Sequence, residues 1–167
     1  MNLVPPSTSY EKSYLGYIKE LGNEERYPFT LDLEYSNFPN LIKRLEDFSS
    51  GLNLPDGAVQ NTTLWLVDET EIVGVTNLRH YLNKTIEHCG GHIGLSIRPS
   101  KRGQELGNLL MRLSIEQLSK LGIKKIHIHC YKDNEASANT IVHCGGKLDS
   151  EITDNDHVVQ RYIKTID

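Results

Sequence analysis

Four stretches of the chain repeat apolar residues at the three- and four-residue intervals of an amphipathic helix. They run from Thr8 to Leu21, from Leu41 to Phe48, from just beyond Gly103 to Leu121, and from Asn134 to about Cys144. A glycine follows each stretch near the position where helices commonly end; these are Gly22, Gly51, Gly122 and Gly145. The pattern therefore predicts four helices.

The other apolar segments are short, rich in β-branched residues and bounded by turns, as is typical of strands. The sequence predicts a hairpin between Thr62 and Leu82, strands at Ile93–Ile97 and Lys125–Cys130, and a closing hairpin between Leu148 and Ile166. The two middle strands are joined by a predicted helix, and ligands of such units bind at the carboxyl ends of the strands. A site is therefore expected after Ile97 and after Cys130.

The length and the order of these elements predict one mixed α+β domain that covers residues 1–167. Residues 1–60 form a helical region, and its last part, Asn53–Gln60, reads as a loop because it contains Pro55-Asp56-Gly57. Residues 61–167 carry the predicted strands and the candidate site. The sequence shows no internal repeat, so a single functional unit is expected.

Composition and charge narrow the function classes. Apolar residues make up 38% of the chain, no apolar run is long enough to cross a bilayer, and Met1–Pro6 lacks the pattern of a signal peptide. The chain has three cysteines, and none of them forms a Cys-x-x-Cys motif with another. This usage favours a reducing compartment, so a cytoplasmic protein is expected. The net charge of −4 argues against a nucleic-acid partner. It comes from residues 1–60, which hold nine acidic and five basic side chains.

The segment Ile97–Gly107 carries the strongest chemical signal. Three cations, Arg98, Lys101 and Arg102, crowd the turn before the third predicted helix. The first N–H groups of a helix have no partner within it and its dipole is positive at that end, so this turn is suited to an anion. An ordinary strand-to-helix turn with solvated charges would leave the same pattern.

Several motifs in order resemble one family. Arg102-Gly103-Gln104-Glu105-Leu106-Gly107 matches the pyrophosphate-binding motif of the GNAT superfamily, the acyl-CoA-dependent N-acetyltransferases, at all positions except Glu105. The segments Arg79–Asn83, Gly90–Ser100 and Lys132–Gly146 resemble a bacterial subgroup of predicted acetyltransferases. The resemblance covers the chain well from about Pro55 onward. It implies a central, mostly antiparallel twisted sheet with a splayed parallel strand pair and helices on both faces.

The resemblance also implies acetyl-CoA as co-substrate and assigns residues to it. The main chain of Ile97 would bind the pantetheine arm, and Asn134 and Ser137 would face its far end. The pyrophosphate would lie against the turn and first helical residues, with Lys101 on a further phosphate; the expected cofactor-binding set is Ile97, Arg98, Lys101, Arg102, Gly103, Gln104, Glu105, Leu106, Gly107, Asn108, Asn134 and Ser137. No metal site is expected, because the His and Cys spacings match no standard pattern.

Two positions depart from the family pattern. Glu105 replaces the usual glycine of the motif, which adds a carboxylate and a Cβ near the expected phosphates. Ile141 stands where many members carry a tyrosine that protonates the departing thiolate. These departures keep a second hypothesis open, a non-catalytic acyl-CoA sensor. A dinucleotide enzyme is a weaker reading, since Gly103 and Gly107 do not form Gly-x-Gly-x-x-Gly.

Two residues are catalytic candidates. His80 is the first choice of base because imidazole titrates near neutral pH, although a structural histidine explains its position equally well. Tyr131, after the strand that follows the motif helix, is the replacement acid, although such a tyrosine more often only packs. The expected reaction is direct attack of an amine on the thioester in a ternary complex. The acceptor, a small-molecule or a protein amine, is not readable, and a homodimer stays open.

Overall fold

The computed structural model describes residues 1–167 and contains five α-helices and seven strands. The helices are α1 (Glu11–Leu21), α2 (Phe38–Ser49), α3 (Lys84–His88), α4 (Leu106–Lys120) and α5 (Glu135–His143). The strands are β1 (Asn2–Val4), β2 (Asn61–Asp68), β3 (Glu71–Arg79), β4 (Ile93–Ile97), β5 (Lys125–Tyr131), β6 (Lys147–Asp154) and β7 (His157–Thr165). The four predicted helices and the predicted strands are therefore all present.

The strands form two antiparallel sheets, in the order β1-β2-β3-β4 and β5-β7-β6. The expected splay between the middle strands is confirmed, because β4 and β5 lie in different sheets and share no ladder. They meet only at one end, where the main chain of Gly91 pairs with Ile128 and the N–H of His92 donates to the carbonyl of His127 (2.7 Å). Beyond this contact the two strands leave a gap.

Helices cover both faces of the first sheet because its strands alternate their side chains. On one face, Trp65 and Val75 pack in a large core with α1 and α2. On the other, Leu66 and Val73 pack against Leu110 of α4. A further core joins α4 and α5 to β5 and includes Ile128. This packing fixes the start of α4 at the carboxyl end of β4.

Two short elements were not predicted. The strand β1 pairs along β2, with Leu3 opposite Leu66. The helix α3 begins after Asn83, whose side chain accepts a hydrogen bond from the N–H of Ile86 (2.9 Å). Both elements are too short to show periodicity, and their existence depends on pairing and capping rather than on pattern. The strand β3 also ends at Arg79 rather than continuing to Leu82.

No helix of the structure combines the length and the apolar character that a membrane crossing requires.

Candidate active site

A cavity of about 820 Å³ occupies the gap between β4 and β5. Its walls come from four parts of the chain: the start of α4, the start of α5, the facing strands, and the segment after α1. The contacts of Gly91 and His92 hold β4 and β5 together at one end, and beyond them the two strands diverge and leave the cavity between them.

The start of α4 offers an array of free donors at one end of this cavity. The six consecutive N–H groups from Gly103 to Asn108 donate no hydrogen bond within the protein. Gly103 and Glu105 adopt left-handed backbone conformations, with φ of 76° and 59°. Left-handed residues in a turn before a helix are typical of backbone anion sites, and the helix dipole favours an anion at this end. The array fits a diphosphate.

Two of the expected cations lie beside this array, and both already have acidic partners. Arg102 donates to both carboxylate oxygens of Glu24, at 3.0 and 2.8 Å, and its Nε donates to the carbonyl of Ile97. Lys101 pairs with Glu71 at 2.8 Å. Lys101 and Arg102 both line the cavity. An anion at this place would therefore meet cations whose charge is partly neutralised.

The expectation for Arg98 needs correction. Arg98 is 8% exposed and does not line the cavity. Its Nε donates to Glu20 at 2.7 Å, and Nη1 lies within reach of Ser13 and the carbonyl of Ile72. The side chain thus links the end of β4 to α1 and β3 through hydrogen bonds, which is a structural role. Gln104 also lies outside the cavity lining.

The start of α5 forms the wall opposite the α4 turn. Asn134 caps this helix, with its side chain accepting from the N–H of Ser137 (3.1 Å), and both residues line the cavity as expected. Ile141 is fully buried in the core. No proton donor stands at the position where the resemblance places a tyrosine.

Two tyrosines line the cavity. Tyr131 ends β5, is 37% exposed and stacks on His157 with ring centroids 4.7 Å apart. Burial, followed by the nearby Glu25 carboxylate, raises the pKa of Tyr131. Tyr27 lies over Gly94 of β4, whose position has no room for a side chain: a Cβ there would be 3.2 Å from the ring. Tyr27 is 40% exposed. A tyrosine ordinarily titrates at a pKa of about 10, so both phenols stay protonated at neutral pH.

The structure does not bring His80 into the site. Its Nε2 lies 2.7 Å from the hydroxyl of Thr62, its main-chain N–H donates to Gln60, and it does not line the cavity. Burial lowers the pKa of His80. These contacts fit a structural role for His80. A base at this position would have no access to an amine in the cavity.

The cavity also contains a histidine and two cysteines close to the junction of the sheets. His129 is 7% exposed, and its Nδ1 accepts a hydrogen bond from the N–H of Gly90 (2.9 Å). Its Nε2 is buried without a partner. Burial, followed by the neighbouring His127, lowers the pKa of His129 to about 4. Burial raises the pKa of the Cys89 and Cys130 thiols, so both are poor nucleophiles.

Tyr27 and His129 were not among the catalytic candidates predicted from the sequence. Alternation along β5 places His129 on the same face as Tyr131, and this alternation was a signal that could have identified it. Tyr27 belongs to the segment between α1 and α2, which has no periodic pattern. Only the tertiary structure brings it onto β4.

The sequence matches the model of the "Acetyltransferase (GNAT) family" over residues 23–145. No curated protein sequence gives a significant match. Solved structures with the same fold include three acetyltransferases. A variant of the spermidine N-acetyltransferase SpeG from Vibrio cholerae is 14% identical, with 99% of this chain and 95% of that chain covered and a TM-score of 0.67.

The microcin C7 self-immunity acetyltransferase MccE, solved with acetyl-CoA and AMP, is 17% identical, with 98% and 91% covered and a TM-score of 0.71. The ribosomal-protein-S5-alanine acetyltransferase from Vibrio fischeri is 15% identical, with 98% and 91% covered and a TM-score of 0.72. At these identities the likeness shows a shared fold. The family match covers most of the chain, including the α4 turn and both tyrosines.

Proposed function

Because the chain belongs to the acetyltransferase (GNAT) family, whose members use acetyl-CoA, we propose that it acetylates a primary amine by direct attack in a ternary complex. The observation that carries this proposal is the array of six free N–H groups from Gly103 to Asn108 at one end of the cavity. The array, with Lys101 and Arg102, would hold the diphosphate. Bound there, the donor supplies an activated acetyl group.

Direct attack is supported by the chemistry of the cavity residues. Cys89 and Cys130 are the cavity thiols, and burial raises the pKa of both, so neither is suited to accept the acetyl group itself. Holding two substrates side by side in the gap can provide much of the rate enhancement. Tyr131, protonated at neutral pH, is the group we assign to donate a proton to the departing sulfur.

The acceptor that fits this cavity best is an amine with additional positive charge. Glu25 lines the cavity, is exposed, and has no ion-pair partner, in contrast to Glu24. An unpaired carboxylate at the entrance raises the local concentration of cations. A structural neighbour with this fold acetylates spermidine, according to its name, which supports a polyamine as the first acceptor to test.

The proposal includes a cytoplasmic location, where acetyl-CoA and unpaired cysteines are both expected. All three cysteines are free thiols. Cytoplasmic proteins are kept in this state by a reducing environment.

The test measures release of the CoA thiol from acetyl-CoA in the presence of single amines: spermidine, an aminoglycoside, a free amino acid and a peptide with a free N-terminus. We expect amine-dependent release, intersecting initial-rate lines, and no acetylated enzyme by mass spectrometry when acetyl-CoA is added alone. Glu25→Gln should raise KM for spermidine but not for an amine with a single charge. Binding of acetyl-CoA without amine-dependent release for any acceptor would support the sensor instead.

A further inference from the structure

A buried donor without an acceptor lies in the wall of the cavity. His129 is 7% exposed, yet its Nε2 has no hydrogen-bond partner. A buried polar group without a partner is rare and costs free energy in the folded protein. The side-chain oxygen of Asn77 is the other such atom, but Asn77 does not line the cavity. Of the two residues, only His129 lines the cavity, so its unpaired nitrogen is the one that lies close to a bound ligand.

The protonation of His129 follows from its other ring nitrogen. Nδ1 accepts from the N–H of Gly90 at 2.9 Å, so it must carry a lone pair and the proton must be on Nε2. Burial opposes a second proton on the ring, and the positive charge of His127, Arg161, Arg79 and His92 opposes it further, so the pKa of His129 is lowered. The side chain thus acts only as a neutral N–H donor and cannot serve as a base.

The position of His129 identifies the part of the cavity that it serves. It lies next to the junction of the sheets, where a Cβ on Gly91 would come within 3.3 Å of its ring. The α4 turn is at the opposite end of β4, about 10 Å further along the strand from Gly94 to Ile97. A ligand whose diphosphate is held at the turn would place its far end, the acyl group, toward His129.

The chemistry then selects one ligand atom. An amine needs its own lone pair for attack, so a donor bound to that lone pair would block the reaction. A carbonyl oxygen accepts a hydrogen bond and gains negative charge as the amine attacks, and a fixed donor in a water-poor site stabilises that charge. We infer that the Nε2–H group of His129 donates a hydrogen bond to the acyl carbonyl oxygen of bound acetyl-CoA.

This inference rests on the proposed function. In the reaction, the amine nitrogen forms a bond to the carbonyl carbon, and the negative charge that moves to the oxygen is stabilised by His129, whose proton stays on Nε2. The carbon–sulfur bond then breaks and the oxygen regains its double bond. The amine loses one proton and the thiolate gains one, from Tyr131 or from water.

The test uses two substitutions that divide the functions of the two ring nitrogens. His129→Asn places an amide oxygen near Nδ1, which keeps the contact with Gly90 but removes the donor at Nε2. His129→Gln places an amide N–H near Nε2, which keeps a donor but loses the contact with Gly90. His127→Asn is the matched control, because His127 lies on the same face of β5 and outside the cavity lining.

The readout is the infrared band of acetyl-CoA labelled at the thioester carbonyl, measured when bound to each protein at saturation. A hydrogen bond lowers this frequency, so we expect a higher frequency in His129→Asn and wild-type-like values in His129→Gln and His127→Asn. Affinity for acetyl-CoA, measured by calorimetry, should be similar in all four proteins. With the best amine of the panel, kcat of His129→Asn should fall about 100-fold with little change in KM.

The outcomes separate the inference from the proposed function. An unchanged carbonyl frequency in His129→Asn that still binds acetyl-CoA would overturn the role of His129 alone. Failure of the wild-type protein to bind acetyl-CoA would overturn the proposed function as well. If His129→Asn does not fold, the Nε2 proton resonance of the wild-type protein provides the same test, because it should move downfield when acetyl-CoA is added and stay unchanged if the inference is wrong.

Discussion

Arg102 and Glu24 form a two-pronged ion pair, with N–O distances of 3.0 and 2.8 Å, directly beside the free N–H groups of the α4 turn. The hydrogen bonds from Arg102 lower the pKa of Glu24, which therefore stays charged. If acetyl-CoA binds as proposed, its diphosphate lies beside Arg102, so the Glu24 carboxylate would compete with a phosphate for the Arg102 guanidinium.

We predict that Glu24→Gln strengthens acetyl-CoA binding by about threefold, because the carboxylate no longer competes for Arg102. The pair is half exposed on both sides, so its loss should change the free energy of unfolding by less than about 1 kcal/mol. Calorimetric titration with acetyl-CoA provides the measurement. Glu116→Gln is the matched control, since it removes another exposed arginine pair on α4, outside the cavity, and should leave affinity unchanged. Weaker binding of acetyl-CoA to Glu24→Gln would show that the Glu24 carboxylate does not compete with acetyl-CoA for Arg102.

Glu105 has a left-handed backbone, with φ of 59°, at the position where the motif has glycine. A residue with a Cβ pays about 1 kcal/mol for this conformation. We therefore expect Glu105→Gly to raise the free energy of unfolding by about 0.5–1 kcal/mol and to tighten acetyl-CoA binding. Glu105→Ala removes the carboxylate but keeps the Cβ, so it should improve binding without the gain in stability. Equal stability of the two variants in denaturant titrations would show that backbone strain is absent.

Arg98 and Arg102 should respond to substitution in opposite ways. Arg98→Met leaves Glu20 without its buried partner and should lower the free energy of unfolding by about 3 kcal/mol. Its folded fraction should bind acetyl-CoA with wild-type affinity, because Arg98 does not line the cavity. Arg102→Met should leave stability nearly unchanged and weaken binding about tenfold. A binding defect in folded Arg98→Met would return this residue to the cofactor site.

We predict that Tyr131→Phe lowers kcat about 100-fold with little effect on acetyl-CoA affinity. Burial and the nearby carboxylates raise the pKa of Tyr131, so wild-type activity should decline only at alkaline pH, above the range of an ordinary tyrosine, and this decline should be absent from the variant. Tyr27→Phe tests the other cavity phenol, and Tyr81→Phe is the exposed control outside the cavity. If Tyr27→Phe shows the larger loss and Tyr131→Phe none, the proton donor is Tyr27.

Stability should depend on pH through two buried histidines. Burial lowers the pKa of His92 and of His129 to about 4, below the ordinary value of 6.5. The unfolded chain therefore binds more protons than the folded one between these values, and stability falls as the pH drops from about 6.5 to about 4, by up to about 3 kcal/mol for each imidazole. His92→Asn and His129→Asn should each flatten this decline in denaturant titrations. If both variants kept the pH dependence of the wild-type protein, this would contradict the presence of buried, neutral imidazoles.

The fold was predictable from the sequence because its long elements are strongly periodic. The leucines of α4 and the alternation of β5 placed the cavity walls correctly, and most residues of the motif from Arg102 to Gly107 line this cavity. A sequence pattern does not show which distant residue a charged side chain will pair with. Arg98 was therefore expected at the cofactor, but it forms an ion pair with Glu20. His80 had a suitable residue type and a strand position, but Thr62 and Gln60 hold it elsewhere.

In the proposed function, the free N–H groups at the start of α4 hold the diphosphate of acetyl-CoA. Amide NMR of the labelled wild-type protein, titrated with acetyl-CoA, observes these groups directly. We expect the largest downfield shifts of the amide protons to fall within the six residues from Gly103 to Asn108, and we expect ADP, which carries a diphosphate without the pantetheine arm, to shift the same amides. Unchanged amide resonances at these residues, with saturation of binding observed elsewhere in the protein, would show that the diphosphate binds at another place.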